Sequence, residues 1–411
     1  MIAPPTGPLT GIRVLDLSRI LAGPWAGQAL ADLGAEVIKV ERPKVGDDTR
    51  SWGPPFLKDA NGQETTDAVY YLAANRGKKS VTIDMAQPKG QELIRELAKR
   101  SHIVLENFKV GGLAKYGLDY ASLSALNPAL VYCSITGFGQ TGPYAERAGY
   151  DAMIQAMSGL MSVTGEPDGA PGGGPMKVGL AVTDILTGLY AALGVVAAVR
   201  ESEKTGKGRH IDLALMDTAV ACMANQAMNW LGGGVVPGRL GTAHPNIVPY
   251  QAVPTKDGHL MLAVGNDGQF ARLCTVGGRP ELPQDPRFTR NRDRVANRSE
   301  VLAALLPMMA EKTTDEWISV LEKEGVPCGP INTLDRVFED PQVIARGLRQ
   351  DAPHPVAGMA PTVRSPLRME GDEAPAPQAP PTLGQHTWEV LGEVLDLDSE
   401  TLTALSNQSV I

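Results

Sequence analysis

The sequence predicts an α/β protein: a large domain built on a parallel sheet with helices on its faces, followed by a smaller α/β domain. Two observations predict it. Short apolar runs alternate with amphipathic helical stretches through the first 140 residues, and the composition shifts at Gly232-Gly233-Gly234, which reads as a hinge between two regions.

Residues 12–17 read as a buried strand, 24–33 as a helix and 37–41 as a second strand. The pattern recurs with strands at 80–84, 103–106 and 130–135 and a helix at 88–100. Pro88 suits the first helical position, where no backbone N–H needs a partner. Sheets of this kind bind ligands beyond the carboxyl ends of their strands. A helix is expected from Asp151 to about Ser162, a Gly/Pro-rich loop at 165–175, a long apolar helix at 184–200, a strand at 210–215 and a helix at 218–231. These readings set domain bounds of 1–231 and 232–330, with 331–411 as a C-terminal segment. The small domain carries predicted strands at 250–254 and 259–264 and helices near Gln269, at 298–312 and at 314–324. The proline-rich stretch 373–381 is expected to form a semi-rigid strap, and short helices at 387–394 and 399–405 end the chain.

Composition excludes several classes. Hydrophobic content of 43% and charged content of 20% are those of a globular protein. A net charge of −8 without an arginine-rich tract argues against nucleic-acid binding. The longest apolar stretches, such as 185–199, fall short of a membrane span. Met1-Ile-Ala-Pro-Pro5 has neither a basic nor an apolar leader region, so a cytoplasmic location is expected. Cys133, Cys222, Cys274 and Cys328 are widely spaced, and no two histidines stand four residues apart, so neither a disulfide framework nor a metal site is expected.

Asp151 is the candidate nucleophile. It stands between Gly149-Tyr150 and an apolar helical stretch, where the helix dipole favours an ionised carboxylate able to attack a carbonyl carbon. An ordinary helix cap uses the same residue in the same place, and the local sequence leaves both readings open. Gly137-Phe-Gly139-Gln140-Thr-Gly142 matches G-x-G-x-x-G, but Pro143 follows where a helix should begin, which favours a glycine loop near a ligand or a tight turn. Ser158 lacks the first glycine of a nucleophile elbow, and Cys133 lies inside an apolar strand, where packing is expected. His244 falls in a loop. Basic residues gather at predicted strand ends: Lys39 and Arg42, then Arg76, Lys78 and Lys79, then Lys109 and Lys115. A phosphate-bearing ligand lying across the sheet edge would need such charges.

Beyond these local readings, ordered motifs run along nearly the whole chain: Val14-Leu-Asp-Leu-Ser18, Leu21-Ala-Gly-Pro24, Gly34-Ala-Glu-Val-Ile-Lys-Val-Glu-Arg42, Asn75-Arg-Gly-Lys-Lys-Ser80, Val104-Leu-Glu-Asn-Phe108, Ser134-Ile-Thr-Gly-Phe-Gly-Gln-Thr-Gly-Pro143, Ala148-Gly-Tyr-Asp151 and Leu383-Gly-Gln-His386. With them the chain resembles the class III coenzyme A transferases, the carnitine dehydratase and bile-acid-inducible F type. The resemblance implies a Rossmann-like large domain, and ring-shaped subunits interlocked in a homodimer whose C-terminal segment returns to the large domain. It implies acyl-CoA and a carboxylic acid as substrates, with no permanently bound cofactor and no nucleic-acid or membrane partner. Asp151 matches the residue that forms the acyl anhydride and then the CoA thioester. Ile20, Leu21 and Ala22 match the loop at the adenine end of CoA, Arg42 a phosphate contact, and Asn107 and Phe108 contacts along the pantetheine arm. Lys115 stands where some relatives have arginine, and Arg76, Lys78 and Lys79 are further phosphate candidates.

Tyr150 and Met153-Ile154 replace the histidine and Asn-Tyr of the racemase branch, which leaves that branch the runner-up beside a non-catalytic CoA-binding protein. Gly46–Arg50, Trp52-Gly-Pro-Pro55 and Gly241-Thr-Ala-His244 resemble succinyl-CoA and glutaryl-CoA transferases acting on dicarboxylates. The far carboxylate of such an acid needs a partner: Arg50 and His244 are expected first, then Arg147 and Arg239. Gly137, Gly139 and Gln140 are expected near the reacting carbonyl.

Overall fold

The computed structural model describes residues 7–369 and 376–411. The leader reading at Met1–Pro5 and residues 373–375 of the expected strap lie outside the described residues. The chain forms two compact units, one of residues 1–158, 179–223 and 341–411, the other of 159–178 and 224–340. Compared with the expected bounds, the smaller unit starts at Ala224, runs to Asp340 and also takes in 159–178.

The larger unit holds six parallel strands: β1 (Arg13–Asp16), β2 (Glu36–Glu41), β3 (Lys78–Thr82), β4 (Ile103–Glu106), β5 (Val131–Thr136) and β6 (His210–Ala214), in the spatial order β3-β2-β1-β4-β5-β6. This is the doubly wound order, and its direction reverses between β1 and β4. The strand centres are apolar towards both faces, as at Val14-Leu15, Val37-Ile38 and Val104-Leu105, because both faces are covered. Leu15, Leu17, Ile38, Val40 and Val104 point to one face, against Leu93, Ile94 and Leu97 of helix Pro88–Lys99 and Val390, Leu391 and Val394 of helix Thr387–Leu395. Their neighbours Val14, Val37, Ile103 and Leu105 point to the other, against Ala26 and Leu30 of helix α1 (Ala22–Asp32) and Ala191 and Val195 of a long helix, Val182–Thr205.

That long helix has 24 residues and is long and apolar enough, by length and composition, to cross a membrane, where the sequence reading found every apolar stretch too short. Its inner residues Thr183, Thr187, Ala191, Val195 and Val199 are buried, the packing of a core helix covering a sheet. Two expected helices end early. Gly159, at φ +89°, stops the helix that starts at Asp151 after Met157. The expected helix 218–231 divides into Leu215–Ala221 and Ala224–Leu231, with Ala224 at φ +45°.

In the smaller unit Tyr250–Pro254, His259–Ala263 and Cys328–Pro330 form an antiparallel sheet with His259–Ala263 at its centre. Val253, Leu260, Leu262, Phe270, Leu305, Trp317 and Leu321 form its core. Helix Thr314–Lys323 begins with a capping box between Thr313 and Glu316.

Candidate active site

The reversal of strand order between β1 and β4 opens a crevice at the carboxyl ends of the sheet, with a cavity of ≈ 700 Å³. Three segments are locked together at its wall. The Asn107 side chain after β4 bonds both sides of Arg19 after β1, accepting from its N–H at 2.8 Å and donating to its C=O at 2.7 Å. The Asp47 carboxylate after β2 accepts from the N–H of Ile20 at 3.2 Å. Ile20 has φ +70°, a left-handed conformation costly for a β-branched residue, so these bonds hold the loop in a strained shape.

Behind the loop lies a buried ion network. Lys39 pairs with Asp47 at 2.9 Å and donates to the Ser18 carbonyl, and Lys78 pairs with Asp16 at 2.9 Å. Burial pushes the Asp16 carboxyl up, and the charges of Lys78 and Lys39 pull it below its ordinary value. Burial likewise opposes ionisation of Asp47, yet the Lys39 charge and bonds from Lys39 and Thr49 bring it down to about 2.

Two glycines bring Asp151 to the crevice. A Cβ on Gly137, just after β5, would lie 2.5 Å from the Gly149 Cα, and one on Gly149 would lie 2.3 Å from the Gly137 Cα. Only two glycines allow these chains to cross so closely. Asp151 then begins helix Asp151–Met157 and lines the cavity. Its Oδ1 accepts from the Thr183 N–H at 2.9 Å, the Thr183 hydroxyl and the Asp184 N–H at 3.3 Å, while Oδ2 accepts from the Gln155 amide. With three donors on Oδ1 and one on Oδ2, the carboxylate is oriented and Oδ2 is the less encumbered oxygen for attack on a carbonyl.

Asp184, which the sequence reading used only as a helix start, also lines the cavity. Burial first and the Asp151 charge second push its carboxyl up to about 7, so close to neutral pH it carries a proton beside Asp151 for much of the time. Tyr70 belongs to the same neighbourhood: burial and then the charges of Asp184 and Asp151 raise its phenol. Its place in a short helix between the second and third sheet strands carried no sequence signal.

The cavity brings together Ile20, Leu21, Ala22, Arg42, Asn107, Phe108, Lys115, Gly137 and Asp151, with Arg147 and Lys109 also on its wall. Arg42 and Lys115 are exposed and have no ion-pair partner among the described residues, which suits a phosphate. Other expected contacts lie elsewhere. Arg76 pairs with Asp32, Lys78 with Asp16, and Lys79 with Glu36 and Glu389, so these three cations neutralise carboxylates of the fold. Arg50 is 4% exposed, gripping Glu41 with two nitrogens and Asp67 with the third, donating to the Pro381 carbonyl, and stacking 3.7 Å from the Tyr71 ring centroid. Four of its five N–H donors are engaged and its charge is matched by two carboxylates, which leaves little to hold an acceptor acid. Gln140 lines an adjoining cavity of ≈ 290 Å³ with Glu106, Tyr132, Ser134 and His210, which shares Lys109, Val110 and Gly112 with the crevice, and Gly139 turns beside it at φ +87°. Burial pushes the Cys133 thiol up to about 12, consistent with a packing role. His244 belongs to the smaller unit.

A doubly wound sheet with a crevice at its switch point, basic residues on the crevice wall and an oriented aspartate defines an enzyme that handles an anionic, nucleotide-like ligand. Residues 9–387 match CoA-transferase family III. The chain is 52% identical to a succinate–glutarate CoA-transferase of Agrobacterium fabrum over 94% of this chain and 96% of that one. It is 44% identical to the human succinyl-CoA:glutarate CoA-transferase over 98% of this chain and 90% of that one. The crystal structure of a CAIB/BAIF family protein from Brucella suis superposes with a TM-score of 0.82 at 50% identity, covering 94% of this chain and 99% of that one. The chain belongs to CoA-transferase family III, and it is a CoA-transferase.

Proposed function

We propose that this enzyme moves CoA from succinyl-CoA to a dicarboxylic acid such as glutarate, with Asp151 as the covalent carrier. Asp151 Oδ2 attacks the thioester carbonyl, giving an aspartyl-succinyl anhydride and CoA thiolate. The thiolate attacks the aspartyl carbonyl, releasing succinate and leaving an aspartyl-CoA thioester. The acceptor carboxylate attacks that thioester and expels CoA thiolate, which then takes the acyl group from the new anhydride and restores Asp151. Each carbonyl addition develops an oxyanion that needs N–H donors, and each anhydride must be kept from water. CoA lies in the crevice with its adenine end at Ile20–Ala22, its phosphates on Arg42 and Lys115 and its pantetheine arm along Asn107 and Phe108.

The observation that carries this reading is the oriented Asp151 carboxylate in the switch-point cavity of a chain whose relatives are named for succinate and glutarate. Asp151→Ala should lower transfer from succinyl-CoA to glutarate on the order of 10⁴-fold or more, the scale of removing a covalent nucleophile. Hydroxylamine should trap the wild-type thioester. Transfer by the variant at the wild-type rate would remove Asp151 from the mechanism, and equal use of butyrate and glutarate by the wild type would remove the dicarboxylate.

The same proposal makes the enzyme a cytoplasmic homodimer with interlocked subunits. Its four free cysteines suit a reducing compartment. Leu189, Tyr190 and Leu193 are exposed on the long helix, as are Trp230, Leu231, Val235 and Val236 in the smaller unit, apolar surface of the kind that subunit contacts cover.

A further inference from the structure

Within the larger unit, the C-terminal segment is bonded to two residues that stand behind the crevice wall. Arg50 donates through Nη2 to the Pro381 carbonyl at 3.2 Å, and the Ser80 hydroxyl on β3 accepts from the Gly384 N–H at 2.9 Å. The Ser80 N–H also donates to His386 Nδ1 at 3.2 Å, and the Ser80 carbonyl accepts from the His386 N–H at 2.9 Å. Partners 331 and 304 residues apart in the chain thus meet around one buried carboxylate, that of Glu41 at the end of β2.

The Glu41 Oε1 accepts from Arg50 Nη2 at 2.8 Å, from the Ser80 hydroxyl at 2.6 Å and from the Tyr71 phenol at 3.2 Å. Its Oε2 accepts from Arg50 Nε at 2.8 Å and from the Asp47 N–H at 2.9 Å. So many donors from separate segments fix this side chain in one place. The bond to Asp47 leads from it to the crevice, because the Asp47 carboxylate holds the Ile20 N–H at 3.2 Å. Between Glu41 and Asp47 the chain turns, closed by the Gly46 N–H on the Arg42 carbonyl at 2.9 Å, and this turn carries Arg42. Gly46 lies at φ +72°, and a Cβ there would stand 2.6 Å from Arg50 Cδ and 3.0 Å from Glu41 Oε2, so the turn is pressed onto the ion pair. Ile20, Glu41, Arg42, Gly46 and Asp47 line the cavity, while Arg50 and Ser80 are buried outside it.

We infer that the C-terminal segment 381–386, acting through Arg50, Ser80 and Glu41, positions the two loops that hold the nucleotide half of CoA. The inference rests on the CoA placement proposed above and deepens it. Arg50 and Ser80 are positioning residues: they touch no substrate, and they act through Glu41 on Asp47, which sets the Ile20 loop at the adenine end and the turn that presents Arg42 to the phosphates.

The test compares kcat/KM for succinyl-CoA with that for succinyl-pantetheine, a thioester donor without the nucleotide half, using glutarate as acceptor. The wild type should prefer succinyl-CoA, and Arg42→Ala should lose part of that preference, which checks the CoA placement by itself. Arg50→Lys keeps a charge beside Glu41 but cannot bond both of its oxygens and Pro381 at once. Its CoA-to-pantetheine ratio should fall about tenfold, mainly through the succinyl-CoA KM, as for loss of a hydrogen bond to a charged group. Ser80→Ala leaves every buried charge paired, so it should remain folded, and it removes only the hydroxyl that joins Gly384 to Glu41. The ratio should then fall about threefold, within the range of couplings carried by such networks. An unchanged ratio in either variant, or a parallel fall for both donors, in a wild type that prefers succinyl-CoA overturns the positioning alone. A wild type without preference, or a wild-type ratio in Arg42→Ala, overturns the CoA placement and the positioning together.

Discussion

The crevice wall of the larger unit and the His244 turn of the smaller one handle buried charge in opposite ways. Along the wall, Asp16, Lys39, Asp47, Lys78, Glu41 and Arg50 are nearly inaccessible, and each is paired with an opposite charge. Beside the turn, on strand Tyr250–Pro254 and at the start of helix Arg298–Met309, an amide oxygen and a guanidinium nitrogen are buried with no partner among the described residues. A fully satisfied network is rigid and has nothing to offer a ligand, so the wall sets backbone positions, notably that of strained Ile20. An incomplete network leaves a directed donor and a directed acceptor free. A buried charge is thus assigned a role by what remains unbonded around it.

The largest effect that would sharpen this contrast is on stability. Lys78→Met leaves Asp16 buried without its partner, and breaking a buried pair on one side costs about 3–5 kcal/mol. Denaturant unfolding should show that loss. A variant of wild-type stability with a raised acyl-CoA KM would instead make Lys78 a ligand contact and break the distinction between wall and turn.

A smaller effect should appear in catalysis. Gly137→Ala forces the Gly149 crossing apart and shifts Asp151, and a displacement of about 1 Å at a reacting group costs on the order of 10²-fold in rate. Steady-state kinetics should show the loss in kcat, with the acyl-CoA KM little changed. A change confined to KM would detach the glycine crossing from the nucleophile.

The smallest effect concerns pH. The folded pKa of Asp184, about 7, lies above its ordinary value of 3.8, so between those values the folded state holds a proton that the unfolded state has lost. Stability from this group is present at low pH and declines as pH rises toward 7. Asp184→Asn should remove that decline, leaving the variant about 1–2 kcal/mol more stable than wild type at pH 8 relative to pH 5, a figure reduced from the full shift because the residue is only partly buried. Parallel profiles for the two proteins would show that Asp184 ionises freely beside Asp151.

The alternation of apolar strands and amphipathic helices was legible because local periodicity encodes it: the six sheet strands lie within two residues of their expected bounds at each end. The hairpins at Phe56–Lys58 with Glu64–Ala68 and at Arg349–His354 with Gly358–Val363 were missed, since their short strands include exposed polar residues and proline. Asp151 was legible from its glycine approach and its motif. Asp184 and Tyr70 were not, because each draws its chemistry from neighbours distant in sequence.

The sequence by itself determined the sheet, the order of its elements, the family and the position of the proposed nucleophile, all carried by local pattern or contiguous motif. The tertiary structure alone decided which cations are free. Lys78 and Arg42 both follow from the same reading of basic residues near strand ends, yet one is buried against Asp16 and the other faces the crevice. A side chain's charge is written in the sequence, but its partner is not, because pairing depends on separations in space that the order of residues does not contain.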